Sequence, residues 1–214
     1  MAESSKSDPV SMLAGAWDDA LLHHIADLNE HFLGVLQRSL ARPGAVARCA
    51  LLAPLRAQWQ QLDAARLRLL AECPYLLLDA GFALPECWKA QAGTVVNDAP
   101  AAGRGVLFDD PAGAELGRRA LILGWHLAQA NPFAARIALG MSARCTGLIA
   151  ASRLQDLEQL ISVRPHWMRP RWDDRPQVWR QLLQAAIEGP VSRLRLLQLR
   201  GLQLLAGGML ADTG

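Results

Sequence analysis

Lysine is nearly absent from this chain of 214 residues, and β-branched residues are sparse beside leucine and alanine. Lys6 and Lys89 are the two lysines, so arginine supplies almost all of the positive charge. Strands favour β-branched and aromatic residues, whereas leucine and alanine favour helices. The composition therefore predicts an all-α fold, which we expect to be an orthogonal bundle of about eight to ten helices.

Motifs for catalysis and metal binding are also missing. The four cysteines are dispersed, without a CxxC pair or histidines at zinc-ligand spacing, and there is no GxSxG motif. His23, Asp27 and His31 are each four residues apart, a row that spans too much helix for one compact metal site. We therefore expect a non-enzymatic protein with no metal, no cofactor and no small-molecule substrate.

No hydrophobic run is long enough to cross a bilayer. The most apolar stretch, residues 120–128, is far shorter than the ~20 residues that a membrane-spanning helix needs. The first ten residues are polar and partly acidic, unlike a signal peptide. These features predict no membrane insertion and a cytoplasmic location.

Helical patterns occupy two parts of the chain. Proline, glycine, asparagine and aspartate concentrate between these parts, which indicates a linker or long irregular loop. The predicted organisation is an N-terminal helical part (1–82), the loop (83–113), a basic C-terminal helical part (114–206) and a flexible tail (207–214). The two helical parts form either separate units or one domain.

The first predicted helix, from about Asp8 to Leu40, carries a coiled-coil seam. Its apolar residues alternate at spacings of four and three: Leu21, Ile25, Leu28, Phe32 and Val35. Such a seam requires a partner helix. Two alternatives fit, a helix of the same chain or the same helix of a second copy in a homodimer.

Short polar residues mark several predicted helix starts. Asp63, Asn131 and Ser142 stand where side chains can accept hydrogen bonds from the first turn of a helix. Ser152 and Gln155 have the spacing of a capping box. These positions predict helices over 64–72, from 132 to 139, over 143–150 and from about 153 to 161.

Residues 139–142 resemble the turn of a helix-turn-helix. Gly140 stands at the bend and Ser142 can cap the second helix. Thr146 occupies a place where such motifs usually bury an aliphatic residue. The turn therefore fits either a DNA-binding motif or a plain helical hairpin.

Positive charge concentrates in the second half. Residues 1–131 carry 11 basic and 14 acidic side chains, whereas residues 132–206 carry 11 arginines and five acids, a net charge of +6. Tryptophans interleave with arginines around residues 164–180, as on nucleic-acid surfaces, although the rings could instead pack on the core while the arginines pair with Asp173 and Asp174. The predicted partner-binding residues are Arg144, Arg153, Arg164, Trp167, Arg169, Arg171 and Trp172. An anionic partner, either DNA or an acidic protein face, would complement them.

Residues 21–37, and residues 133–142 continuing through 154–160 to 169–174, resemble the FlhD family, the helical subunit of the bacterial flagellar master transcription activator. The resemblance implies a dimerising N-terminal helix and transcription regulation through DNA or a DNA-binding partner.

The second half is also similar in pattern to small helical accessory proteins of type III secretion sorting platforms. The shared features are an apolar helix before a cluster of short helices, followed by the tryptophan- and proline-rich segment. That resemblance implies a cytosolic adaptor that binds other proteins. We therefore expect a bacterial regulatory protein, with the secretion adaptor as the alternative.

Overall fold

The chain folds almost entirely into helices in the computed structural model, which describes residues 19–41, 51–88, 111–163 and 168–211. The described residues form ten helices and a two-stranded ribbon, which confirms the predicted all-α class. In chain order the helices are α1 (Asp19–Ser39), α2 (Arg56–Gln61), α3 (Ala64–Ala71), α4 (Pro85–Trp88), α5 (Pro111–Ala130), α6 (Pro132–Leu139), α7 (Ala143–Ala151), α8 (Leu154–Val163), α9 (Pro176–Glu188) and α10 (Val191–Ala211). The strands are β1 (Leu78–Asp79) and β2 (Arg169–Pro170), which pair antiparallel.

Three predicted caps are confirmed. Asp63, Asn131 and Ser142 each accept a hydrogen bond from the backbone amide three residues further on, at 2.8, 3.0 and 3.1 Å. Each bond satisfies an amide that the first helical turn leaves without an intrahelical partner. Gly140 ends α6 in the left-handed conformation, with φ of 67°, which a glycine adopts without strain.

Three sequence predictions need correction. Residues 207–211 of the predicted flexible tail continue α10, which ends at Ala211. The capping box predicted at Ser152 is wrong, because Ser152 ends α7, with its hydroxyl donating to the carbonyl of Leu148 at 2.7 Å, and α8 begins only at Leu154. The predicted irregular stretch 83–113 contains helix α4, and α5 begins at Pro111 rather than Ala114. Residues 89–110 of that stretch, like residues 8–18 of the first predicted helix, lie outside the described residues.

The seam of α1 is buried against helices of the same chain. All five seam residues have at most 8% of their surface exposed. They lie on a helix that packs on α3 and α5. Phe32 approaches Trp179 of α9 with ring centroids 6.3 Å apart, and Trp59 of α2 approaches the same ring at 5.6 Å. The intramolecular alternative therefore accounts for this seam.

An extended segment, residues 73–82, runs through the interior. Its main-chain groups need partners there, because an unpaired buried amide or carbonyl is costly. Asn29 of α1 meets part of that need: its amide group donates to the carbonyls of Ala71 and Tyr75 and its oxygen accepts from the amide of Leu77. A buried asparagine thus ties the middle of α1 to this segment.

Helix α10 packs on α9 and α6. Gln198 donates to the carbonyl of Leu69 at 2.9 Å, and Gly201 lies so close to the Tyr75 hydroxyl that a Cβ there would overlap it. One face of α10 is therefore fixed to the core.

None of the described helices combines the length and the apolar character that a membrane span requires.

Candidate interaction surface

Arg171, one of the predicted partner-binding residues, is buried. Only 6% of its surface is exposed, and its guanidinium donates to the carbonyls of Leu76 and Leu139 at 2.6 and 2.7 Å. Burial lowers the pKa of this arginine, which the nearby Asp79 partly offsets. Its donors are engaged by the interior backbone, so the expected surface role for Arg171 is wrong in this conformation.

Arg169 and Trp172 belong to the same buried framework. Arg169 donates through two nitrogens to Asp79 at 2.9 and 3.0 Å, across the β1–β2 ribbon. The half-buried Trp172 ring meets Tyr75 edge to face, with centroids 5.4 Å apart. These contacts match the alternative in which this segment packs on the core.

Two of the other predicted binding residues lie on the surface. Arg144, at the start of α7, and Arg153, between α7 and α8, are exposed. Arg164 and Trp167 lie outside the described residues.

The predicted helix-turn-helix has the expected bend at Gly140 and the expected cap at Ser142. Thr146 is buried, and its hydroxyl donates to the carbonyl of Ser142 at 2.9 Å, which explains how a polar residue fits there. The exposed positions of α7 are Ala143, Arg144, Gly147 and Ala151. A recognition helix reads base edges with side-chain donors and acceptors, and Arg144 is the one exposed residue of α7 that has them.

A second exposed surface was not predicted as a site. The outward side of α10 carries Leu196 and Leu199, which are 53% and 54% exposed. Arg195 and Arg200 are also exposed, and at about 100° per residue they flank the two leucines on opposite sides. We call Arg195, Leu196, Leu199 and Arg200 the α10 outer face.

Grooves of about 380 Å³ border the α10 outer face on both flanks. The α9/α10 groove includes Val178, Leu182 and Leu204, and the α1/α10 groove includes Leu22 and Ala26. Glu72, which lines the α1/α10 groove, is the one acidic residue among those that line these two grooves. The surface is therefore a ridge of exposed leucine between two largely apolar depressions.

The charge of α10 has one sign. Its 21 residues include Arg193, Arg195 and Arg200 and no aspartate or glutamate. The sequence signal for this surface is that leucines in α10 are more numerous than one helical stripe can hold, a pattern typical of a helix that is covered on more than one side.

Among the described residues, no group of three or more histidine, cysteine, aspartate or glutamate side chains is placed to hold a metal ion. Comparisons of the chain with protein-family models, with curated proteins and with solved structures find no match.

Proposed function

We propose that this protein is a non-enzymatic adaptor that binds an apolar, acidic surface of another protein through the α10 outer face. The observation that carries the proposal is the half exposure of Leu196 and Leu199 between arginines of one helix. Large apolar side chains grouped on a surface, with a charged rim, are typical of protein interfaces.

The two exposed leucines alone are too small a surface to bind a partner with micromolar affinity. Covering the exposed half of two leucines contributes about 2 kcal/mol, whereas micromolar affinity needs about 8 kcal/mol. The flanking grooves must therefore take part. The α10 outer face spans about 8 Å along the helix, so the two grooves must supply most of the ~800 Å² that each partner contributes to a standard interface.

Charge favours a heterologous partner over a second copy. Two α10 helices packed face to face would bring their arginines together without a carboxylate from either helix. Like charges opposed across an interface disfavour it. An acidic partner instead complements Arg195 and Arg200. This proposal fits the resemblance to adaptors of type III secretion sorting platforms.

A DNA-binding regulator, as the FlhD resemblance implies, is the second candidate. The observations that favour it are the local geometry at Gly140 and Ser142 and the exposure of Arg144 and Arg153. Arg171 is buried and Arg169 is paired with Asp79, so a DNA-binding surface would have fewer available arginines than the sequence predicted.

The decisive experiment compares two variants of the full chain. Leu196→Asp/Leu199→Asp places carboxylates on the α10 outer face, and Leu84→Asp changes a comparably exposed leucine elsewhere. Affinity purification with quantitative mass spectrometry identifies proteins that wild type and Leu84→Asp retain and the double variant loses. The purified partner should then bind the double variant at least about tenfold more weakly, since tenfold corresponds to about 1.4 kcal/mol.

Two results would count against the adaptor. One is a partner that binds the double variant and wild type equally. The other is salt-sensitive binding of wild type to promoter DNA that Arg144→Glu/Arg153→Glu abolishes and Leu196→Asp/Leu199→Asp leaves unchanged, which would favour the DNA-binding regulator.

A further inference from the structure

A third groove lies between α1 and α5, away from α10. Its volume is about 360 Å³. The residues that line it are His24 and Leu28 of α1 and Arg119, Ile122, Leu123 and His126 of α5.

The groove has an apolar floor and a basic rim. Leu28 is buried and Ile122 and Leu123 are half-buried, whereas His24, Arg119 and His126 are exposed. Every lining side chain with a polar group can donate a hydrogen bond, and no carboxylate lines the groove. Glu115, one turn before Arg119, accepts two hydrogen bonds from Arg118 at 3.0 Å.

We propose that this groove docks an acidic amphipathic helix of a second protein partner. The α5 residues that line it are spaced i, i+3, i+4 and i+7, so they form one stripe about 10 Å long, equal to two helical turns. An open apolar trough of that length between two helices suits the apolar stripe of a third helix. Carboxylates beside that stripe would pair with Arg119 and the histidines.

A second copy of this chain does not meet that description. In the part of the chain that the structure describes, the helix with the most exposed large apolar residues is α10, which carries three arginines and no acid, so it would oppose Arg119 rather than complement it. The charge of the rim therefore selects a different protein.

The α1/α5 groove and the α10 outer face can be occupied together. Leu22 and Ala26 line the groove on the α10 side of α1, whereas His24 and Leu28 line the groove on the α5 side. At about 100° per residue, His24 points about 200° away from Leu22, so the two grooves lie on opposite flanks of α1. The exposed polar residues His23 and Asp27 lie between them. The chain would then hold two partners, one on each side of α1.

The test uses the full-length protein and a designed peptide of about four helical turns (~15 residues) with leucines at every third or fourth position and glutamates beside them. NMR signals of the His24 and His126 imidazoles, assigned with His24→Gln and His126→Gln, report binding in this groove alone. We expect both signals to shift, and Arg119→Glu to weaken binding about tenfold, a loss of about 1.4 kcal/mol. Arg119→Gln should give an intermediate loss.

The matched control is Arg180→Glu, which reverses an exposed arginine of α9 outside the groove and should leave the titration unchanged. A peptide with lysines in place of the glutamates should not bind. The proposal is overturned if both histidine signals stay unmoved at about millimolar peptide, which spans even weak affinities, if Arg119→Glu has no effect, or if the lysine peptide binds equally. Histidine shifts that depend on protein concentration without peptide would overturn it in favour of a second copy. None of these outcomes depends on α10, so each can be told apart from failure of the proposed adaptor function.

Discussion

Helices α1 and α10 are both 21 residues long and both rich in leucine, yet they differ in how far their apolar residues are exposed to solvent. The apolar residues of α1 follow one seam, which α3, α5 and α9 cover, and its outward side carries His23, Asp27 and Glu30. The leucines of α10 lie around most of the helix, so docking on α9 and α6 leaves Leu196 and Leu199 exposed. The arrangement of apolar residues, rather than their number, indicates how many sides of a helix need a partner.

Alanine substitution on each helix should give the largest difference in stability between buried and exposed apolar residues. Phe32→Ala removes a fully buried ring that packs near Trp179 and should lower the free energy of unfolding by about 3–5 kcal/mol. Leu199→Ala removes a half-exposed side chain and should lower it by about 1 kcal/mol, because about half of this side chain is buried. Denaturant unfolding followed by circular dichroism measures both. Similar losses for the two variants would show that the α10 outer face is covered within the chain.

A smaller effect is expected where α10 touches the core. Gly201→Ala places a methyl group against the Tyr75 hydroxyl and should destabilise the protein by about 1–3 kcal/mol, because Tyr75 is fully buried. Gly207→Ala, in the same helix, meets nothing within 4 Å and should stabilise by up to about 1 kcal/mol through helix propensity. The same unfolding measurement applies. Equal effects at the two glycines would contradict the close docking of α10 on Tyr75.

The smallest effect concerns pH and the buried thiol of Cys73. Burial raises the pKa of Cys73 from its ordinary value of 9.0 to about 12. Because the thiol ionises at lower pH in the unfolded chain than in the folded protein, ionisation favours unfolding. The free energy of unfolding is therefore unaffected by this thiol below pH 9 and falls as pH rises from 9 toward 12. By about pH 10 the loss should be about 1 kcal/mol.

The control for that prediction is Cys73→Ala, which removes the titrating group but leaves the neighbouring Tyr75. The difference in unfolding free energy between wild type and this variant, measured at about pH 8 and about pH 10, isolates the thiol. A difference that stays constant between the two pH values would show that Cys73 ionises as freely in the folded protein as in the unfolded chain.

Local features were predicted well, whereas long-range ones were not. The caps at Asp63, Asn131 and Ser142 depend on an amide three residues away, so the side chain and its partner can be recognised together in the sequence. The capping box at Ser152 was wrong because α8 begins at Leu154, one residue later than that motif requires, and Ser152 ends α7 instead. The pattern alone cannot decide between two helix starts that differ by one residue.

The sequence by itself determined the all-α class, most helix ends and the seam of α1, because those depend on propensity, on periodicity and on groups within one helical turn. Tertiary structure decided that Arg171 is an interior residue, since its carbonyl partners Leu76 and Leu139 lie 95 and 32 positions away along the chain. It also decided which leucines of α10 remain outside, because Gln198 and Gly201 select the side that docks on the core. An arginine-rich pattern cannot distinguish a cation that faces solvent from one whose donors satisfy a buried backbone.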